Sequence, residues 1–197
     1  LKCYFQSLEM SERNDSKFDL SVALNNIGYV FFKLEDYDKA ISYYTQSLNL
    51  KNEIDNKYDL DNLLINLGLC YTYKRDYSKA REFINQAFNL CKNNCSKNFV
   101  MQVGYSIGLI NFGLSEFERA ERQFYKSYSL AKELKNERFQ LDNIVYLSKV
   151  NIHQNELVLA EKYLIDAEEL VDRGTPYNLE LIKIYHELFG LYERMKK

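Results

Sequence analysis

Small and large apolar positions return along this chain at a fixed interval. Ala40, Ala80, Ala120 and Ala160 are 40 residues apart each time, with no insertion across three intervals. Twelve residues before each alanine stand Gly28, Gly68, Gly108 and Ser148, each preceded by a branched aliphatic residue: Ile27, Leu67, Ile107 and Leu147. Three residues before the alanines are Tyr37, Tyr77, Phe117 and Leu157, and four after them Tyr44, Ile84, Phe124 and Leu164. Spacings of three and four residues trace one face of a helix, so each 40-residue unit predicts a pair of helices. The small residues mark where the two helices touch, because a larger side chain there would push them apart.

Polar breaks fall between the predicted helices. Glu35-Asp36, Asp76 and Ser115 precede the second helix of successive pairs, and Ser115 with Glu118 has the spacing of a capping box. Asp55-Asn56, Asn93-Asn94, Asn136 and Gly174-Thr175-Pro176 separate one pair from the next. The pattern maps as one repeat segment over 1–197: residues 1–20 a second helix without its partner, then repeats at 21–60, 61–100, 101–140 and 141–180, and residues 181–197 a first helix without its partner. Both ends are therefore expected to cut through a repeat, as in a piece of a longer array. In the third repeat, Gly104, Gly108 and Gly113 fall within one predicted helix, where glycine costs about 1 kcal/mol against alanine. Close approach of a neighbouring helix is the ordinary reason, and a flexible point in the array the sharper alternative.

The order Ile27-Gly28 with Phe31, Ala40 and Tyr44, repeated as Leu67-Gly68 with Tyr71, Ala80 and Ile84, resembles the tetratricopeptide repeat. Asn111 and Asn151 replace the first-helix aromatic in the later copies, no proline ends a second helix, and the period is 40 residues, which implies helices about a turn longer than the family's usual ones. The resemblance implies an all-α fold: a TPR-like right-handed superhelix (α-solenoid) of antiparallel helix pairs. It also implies a concave groove lined by the first helices, in which a protein or peptide binds. By register that groove contains Asn26, Tyr29, Phe32 and Lys33 in repeat one, and Asn66, Leu69 and Tyr73 in repeat two. Repeat three adds Tyr105 and Phe112, and repeat four Tyr146 and Lys149. Asn26 and Asn66 are at equivalent positions and are the candidates for bonding a peptide backbone, with capping or bridging of neighbouring helices as the structural alternative. Chaperone-tail recognition is disfavoured, because Asn25, Tyr29, Gln102 and Ser106 stand where that subfamily places a second asparagine and its cations.

Composition narrows the function further. The chain of 197 residues is 46% hydrophobic and 27% charged, with one proline and seven glycines, which suits packed helices. Its 26 basic and 28 acidic residues interleave to a net charge of −2, so no basic stripe offers itself to nucleic acid or to a membrane through this segment. Cys3, Cys70, Cys91 and Cys95 lack zinc-site spacing, His153 and His186 stand far from them, and no metal or cofactor is expected. Cys91 and Cys95 flank a turn, and free thiols are the expected state. Nothing marks a nucleophile, a phosphate loop or a paired acid and base, so no catalysis is expected.

The expectation is a non-catalytic protein- or peptide-binding scaffold. It would be the sensory or regulatory segment of a larger bacterial signalling or transcription-regulating protein, since the usage rich in Asn, Lys, Ile and Tyr suits a bacterial source. The alternative is a passive adaptor that assembles a complex. The expected compartment is the cytoplasm, or the periplasm if the parent is a membrane sensor. Oligomeric state is left open.

Overall fold

The computed structural model describes residues 2–91, 95–172, 186 and 189–193. They fall in two compact units, 1–94 and 95–197. The first unit contains α1 (Lys2–Arg13), α2 (Lys17–Lys33), α3 (Tyr37–Glu53), α4 (Leu60–Tyr73) and α5 (Tyr77–Cys91). The second contains α6 (Lys97–Gly113), α7 (Phe117–Glu133), α8 (Glu137–His153) and α9 (Leu157–Asp172). The turn at 174–176 and most of the final predicted helix lie outside the described residues.

Helices pair as the 40-residue pattern requires: α2 with α3 and α4 with α5 in the first unit, α6 with α7 and α8 with α9 in the second. Ala40, Ala80, Ala120 and Ala160 are all fully buried. At Gly28, Gly68 and Gly108 the close approach is measurable. A Cβ there would lie 2.7 Å from the Tyr44 ring, 2.8 Å from Ile84 and 2.6 Å from the Phe124 ring. Gly104 is different, because its nearest neighbour, the Ser127 Cβ, would be 3.6 Å away, an ordinary contact. Packing thus accounts for Gly108 and leaves Gly104 unconstrained.

The predicted repeat boundaries at 21, 61, 101 and 141 cut into α2, α4, α6 and α8, whose first residues are 17, 60, 97 and 137. Hydrophobic period sets the phase of a repeat, whereas its start is set by the residue that caps it. Ser16, Ser96 and Asn136 do so, each accepting a backbone N–H three residues on. The capping box read at Ser115 is not formed. Ser115 has φ of 60° and Glu116 is the N-cap, without a side-chain cap bond. Ser115 belongs instead to the end of α6, where Glu116 N–H donates to Asn111 O at 2.8 Å and Ser115 N–H to Phe112 O at 3.0 Å. This Schellman pair recurs after α2, α3, α4, α7 and α8, always with a non-glycine residue in the left-handed conformation.

The turn between α3 and α4 is longer than those inside the pairs and is tied down by a buried lysine of α3. Lys51 Nζ donates to Tyr58 O at 2.6 Å, and burial pushes its pKa below the usual lysine value. Cys70 is a free, buried thiol, pushed up to about 12 by burial. Cys91 and Cys95 are both disulfide-bonded, which corrects the expectation of two free thiols. Among the described residues no helix is long and apolar enough to cross a membrane.

Candidate functional site

In the first unit, Asn26 on α2 and Asn66 on α4 occupy the same register of successive first helices and are half-buried. Neither side-chain amide hydrogen-bonds another described residue. They do not cap or bridge helices, as Asn62 does when its Nδ2 donates to Asp59 Oδ1 at 2.6 Å. Each keeps a donor and an acceptor available. One helical turn on, the Tyr29 ring is 48% exposed, with Lys33 Nζ 5.5 Å from its centroid. Leu69, three residues after Asn66, is half-buried.

Phe32 and Tyr73 are engaged otherwise. Phe32 meets Tyr37 and Tyr73 edge-on at 5.8 and 5.7 Å, and Tyr37 stacks on Tyr73 at 5.2 Å. These three rings join α2, α3 and α4, so two of the expected groove residues hold successive helices together.

The second unit carries the same division further. Tyr105 is only 9% exposed and packs against Phe124, Phe139 and Tyr146. Phe112 meets Phe117, Tyr146 and His153 at 5.6 to 5.8 Å. Tyr146 also stacks on Phe124 at 5.1 Å, with Lys149 Nζ 5.4 Å from its ring. This continuous aromatic cluster closes α6 and α7 against α8. Where the first unit has its asparagines, the second has Ser106, whose Oγ donates to Gln102 O at 2.9 Å, and Tyr146. The amide pair is a property of the first unit.

Sequence reasoning passed over an open cleft of about 660 Å³ in the second unit, bordered by the start of α7, the end of α8 and the start of α9. Its walls include Phe117, Glu118, Glu121, Asn151, His153 and Glu156. A comparison of residues 80 apart, two repeats, would have found it.

Comparison with known proteins bears on the first unit directly. Residues 19–93 match the family model described as the tetratricopeptide repeat. Over this stretch the chain has the tetratricopeptide pattern. Solved structures extend the likeness of fold beyond that stretch. BtubC from P. vanneervenii superposes with a TM-score of 0.74 at 18% identity, covering 98% of this chain and 81% of that one. The apo form of RapI superposes with a TM-score of 0.66 at 17% identity, covering 99% of this chain and 54% of RapI. No curated protein matches in sequence. A tetratricopeptide array is a scaffold for protein interaction, and the matched stretch takes in all of α3 and all but the first two residues of α2.

Proposed function

We propose that this chain is a non-catalytic scaffold whose first-helix surface in residues 19–93 holds an extended peptide segment of a partner protein. Asn26 and Asn66 bond the peptide backbone, and Tyr29, Lys33 and Leu69 contact its side chains. The observation that carries this reading is the pair of half-buried amides at equivalent positions, neither of them used inside the protein. An extended backbone presents N–H and C=O groups in alternation, which is what an unpaired carboxamide satisfies. The wider reading, a sensory or regulatory segment of a bacterial signalling protein, builds on this surface.

The test is a peptide selected from a random library on the wild-type chain, then measured against Asn26→Ala combined with Asn66→Ala. Losing two amide contacts is expected to weaken binding by about tenfold or more. Unchanged affinity in a folded double variant removes the amide clamp.

A further inference from the structure

The cleft in the second unit has a counterpart in the first, built from residues 80 positions earlier, and the two differ in one consistent way. In the first unit, Tyr37 stacks on Tyr73 at 5.2 Å, and in the second Phe117 stacks on His153 at 4.7 Å, so the aromatic wall is kept. The acids are kept too, Asp38 becoming Glu118 and Asp76 becoming Glu156. Their cations are not. Lys74, which pairs with Asp38, corresponds to Gln154, and Lys79, which pairs with Asp76, corresponds to Leu159. Ile41 is replaced by a third acid, Glu121. Two carboxylates with two lysines have become three carboxylates with no lysine or arginine among the lining residues.

Space is vacated at the same place. Tyr71 stacks on Phe83 at 5.5 Å, with Lys79 Nζ 5.2 Å from its ring, and so fills the first-unit position. Its counterpart is Asn151, 1% exposed, whose Nδ2 donates to Leu147 O at 2.7 Å. Its Oδ1 has no hydrogen-bond donor and is left as a free acceptor in the cleft wall. Glu118, Glu121 and Glu156 likewise form no ion pair with any described residue. All three carboxylates line one cleft, so a cation placed in it is attracted by each of them. Among the described residues no three His, Cys, Asp or Glu groups converge closely enough to hold a metal ion, so the cation that fits is an extended one.

The geometry points to a recognition site for basic side chains of a partner protein, taking in trans the cations that the first unit supplies from its own chain. An arginine guanidinium suits it best, being planar enough to lie along the Phe117–His153 wall while its donors reach carboxylate and Oδ1 together. None of the groove residues discussed above lines this cleft, so the site stands or falls separately from the amide clamp.

The experiment is a titration of the full chain with acetyl-Gly-Arg-Arg-Gly-amide, followed by amide NMR. Saturable shifts confined to residues 117–121 and 151–159 are expected. Replacing both arginines by citrulline, which keeps the shape and removes the charge, is expected to weaken binding about tenfold or more. Gln154→Lys combined with Leu159→Lys restores the first-unit cations at partly exposed positions and is expected to abolish the shifts while leaving the spectrum otherwise folded. Glu156→Gln provides an independent variant and is expected to weaken binding several-fold. Equal binding of the citrulline peptide, undiminished binding by the double-lysine variant, or shifts scattered over other acidic surfaces would each overturn the assignment. Binding of spermidine with indifference to the peptide would overturn the protein partner.

Discussion

Adding one methyl group at each of two glycines a single turn apart in α6 should have unequal effects on stability. Alanine is favoured over glycine inside a helix by about 1 kcal/mol, and Gly104→Ala and Gly108→Ala both gain that amount. At position 104 the new Cβ meets Ser127 Cβ at 3.6 Å and Gln123 O at 3.7 Å, which are unstrained contacts, so the gain survives. At position 108 it would lie 2.6 Å from Phe124 Cε1 and 2.7 Å from Cδ1. Phe124 is fully buried, with Tyr146 stacked on it at 5.1 Å and Tyr105 at 5.9 Å, so the ring has little room to move away. Overpacking of this kind costs about 1–3 kcal/mol, which cancels or exceeds the propensity gain. Gly104→Ala is therefore expected to stabilise by about 1 kcal/mol. Gly108→Ala should be less stable than Gly104→Ala by about 1–3 kcal/mol. Urea unfolding followed by far-ultraviolet circular dichroism measures both. A Gly108→Ala protein as stable as Gly104→Ala would show that the ring yields, and the close-packing account of the repeat's small position would be wrong.

Other predictions rest on separate observations. Ser115→Gly and Lys135→Gly relieve left-handed conformations with φ of 60° and 54° and should each stabilise by about 1 kcal/mol, read as a rise in melting temperature. Tyr44 is fully buried with its hydroxyl unpartnered, so Tyr44→Phe should stabilise by about 1 kcal/mol. Burial also holds the Tyr44 pKa above its unfolded value, so the wild type loses stability from this group as pH rises past about 10, where the unfolded chain ionises first. The Phe variant should lack that share of the alkaline loss, and parallel stability curves for the two proteins above that pH would contradict the linkage. Ser127 Oγ donates to Met101 O at 2.9 Å and accepts from Asn143 Nδ2 at 3.0 Å. Ser127→Ala should cost about 1–2 kcal/mol in the same urea assay, and a neutral effect would show that the two partners find replacements.

The helix pairs were readable because alanine, glycine and the facing aromatic are forced by contact distance, and the same contact returns every 40 residues. What register could not distinguish was whether a side chain on the inner face is open or covered by the next pair. Asn26 and Tyr105 read alike in the pattern, yet Tyr105 is buried under Phe139 and Tyr146 while the Asn26 amide is unused. Coverage depends on neighbours in the next helix pair, and aromatic size made both outcomes compatible with the spacing. The acidic cleft escaped notice for a different reason. Each of Gln154, Leu159 and Asn151 is unremarkable alone, and their meaning comes from the lysines and the tyrosine they replace.

The turn inside the first matched pair shows why the alternation of helices keeps so strict a count. Asp36 closes α2 through its N–H to Phe31 O and opens α3 through its carboxylate, which accepts from Lys39 N–H at 3.2 Å. Asp76 does the same between α4 and α5. One residue thus belongs to two helices at once. An insertion beside it would separate the two tasks, leaving one helix unclosed or the next unstarted, so change of length is channelled away from these corners and into the longer passages such as 54–59. Such an array grows or shrinks by whole hairpins more readily than by single residues.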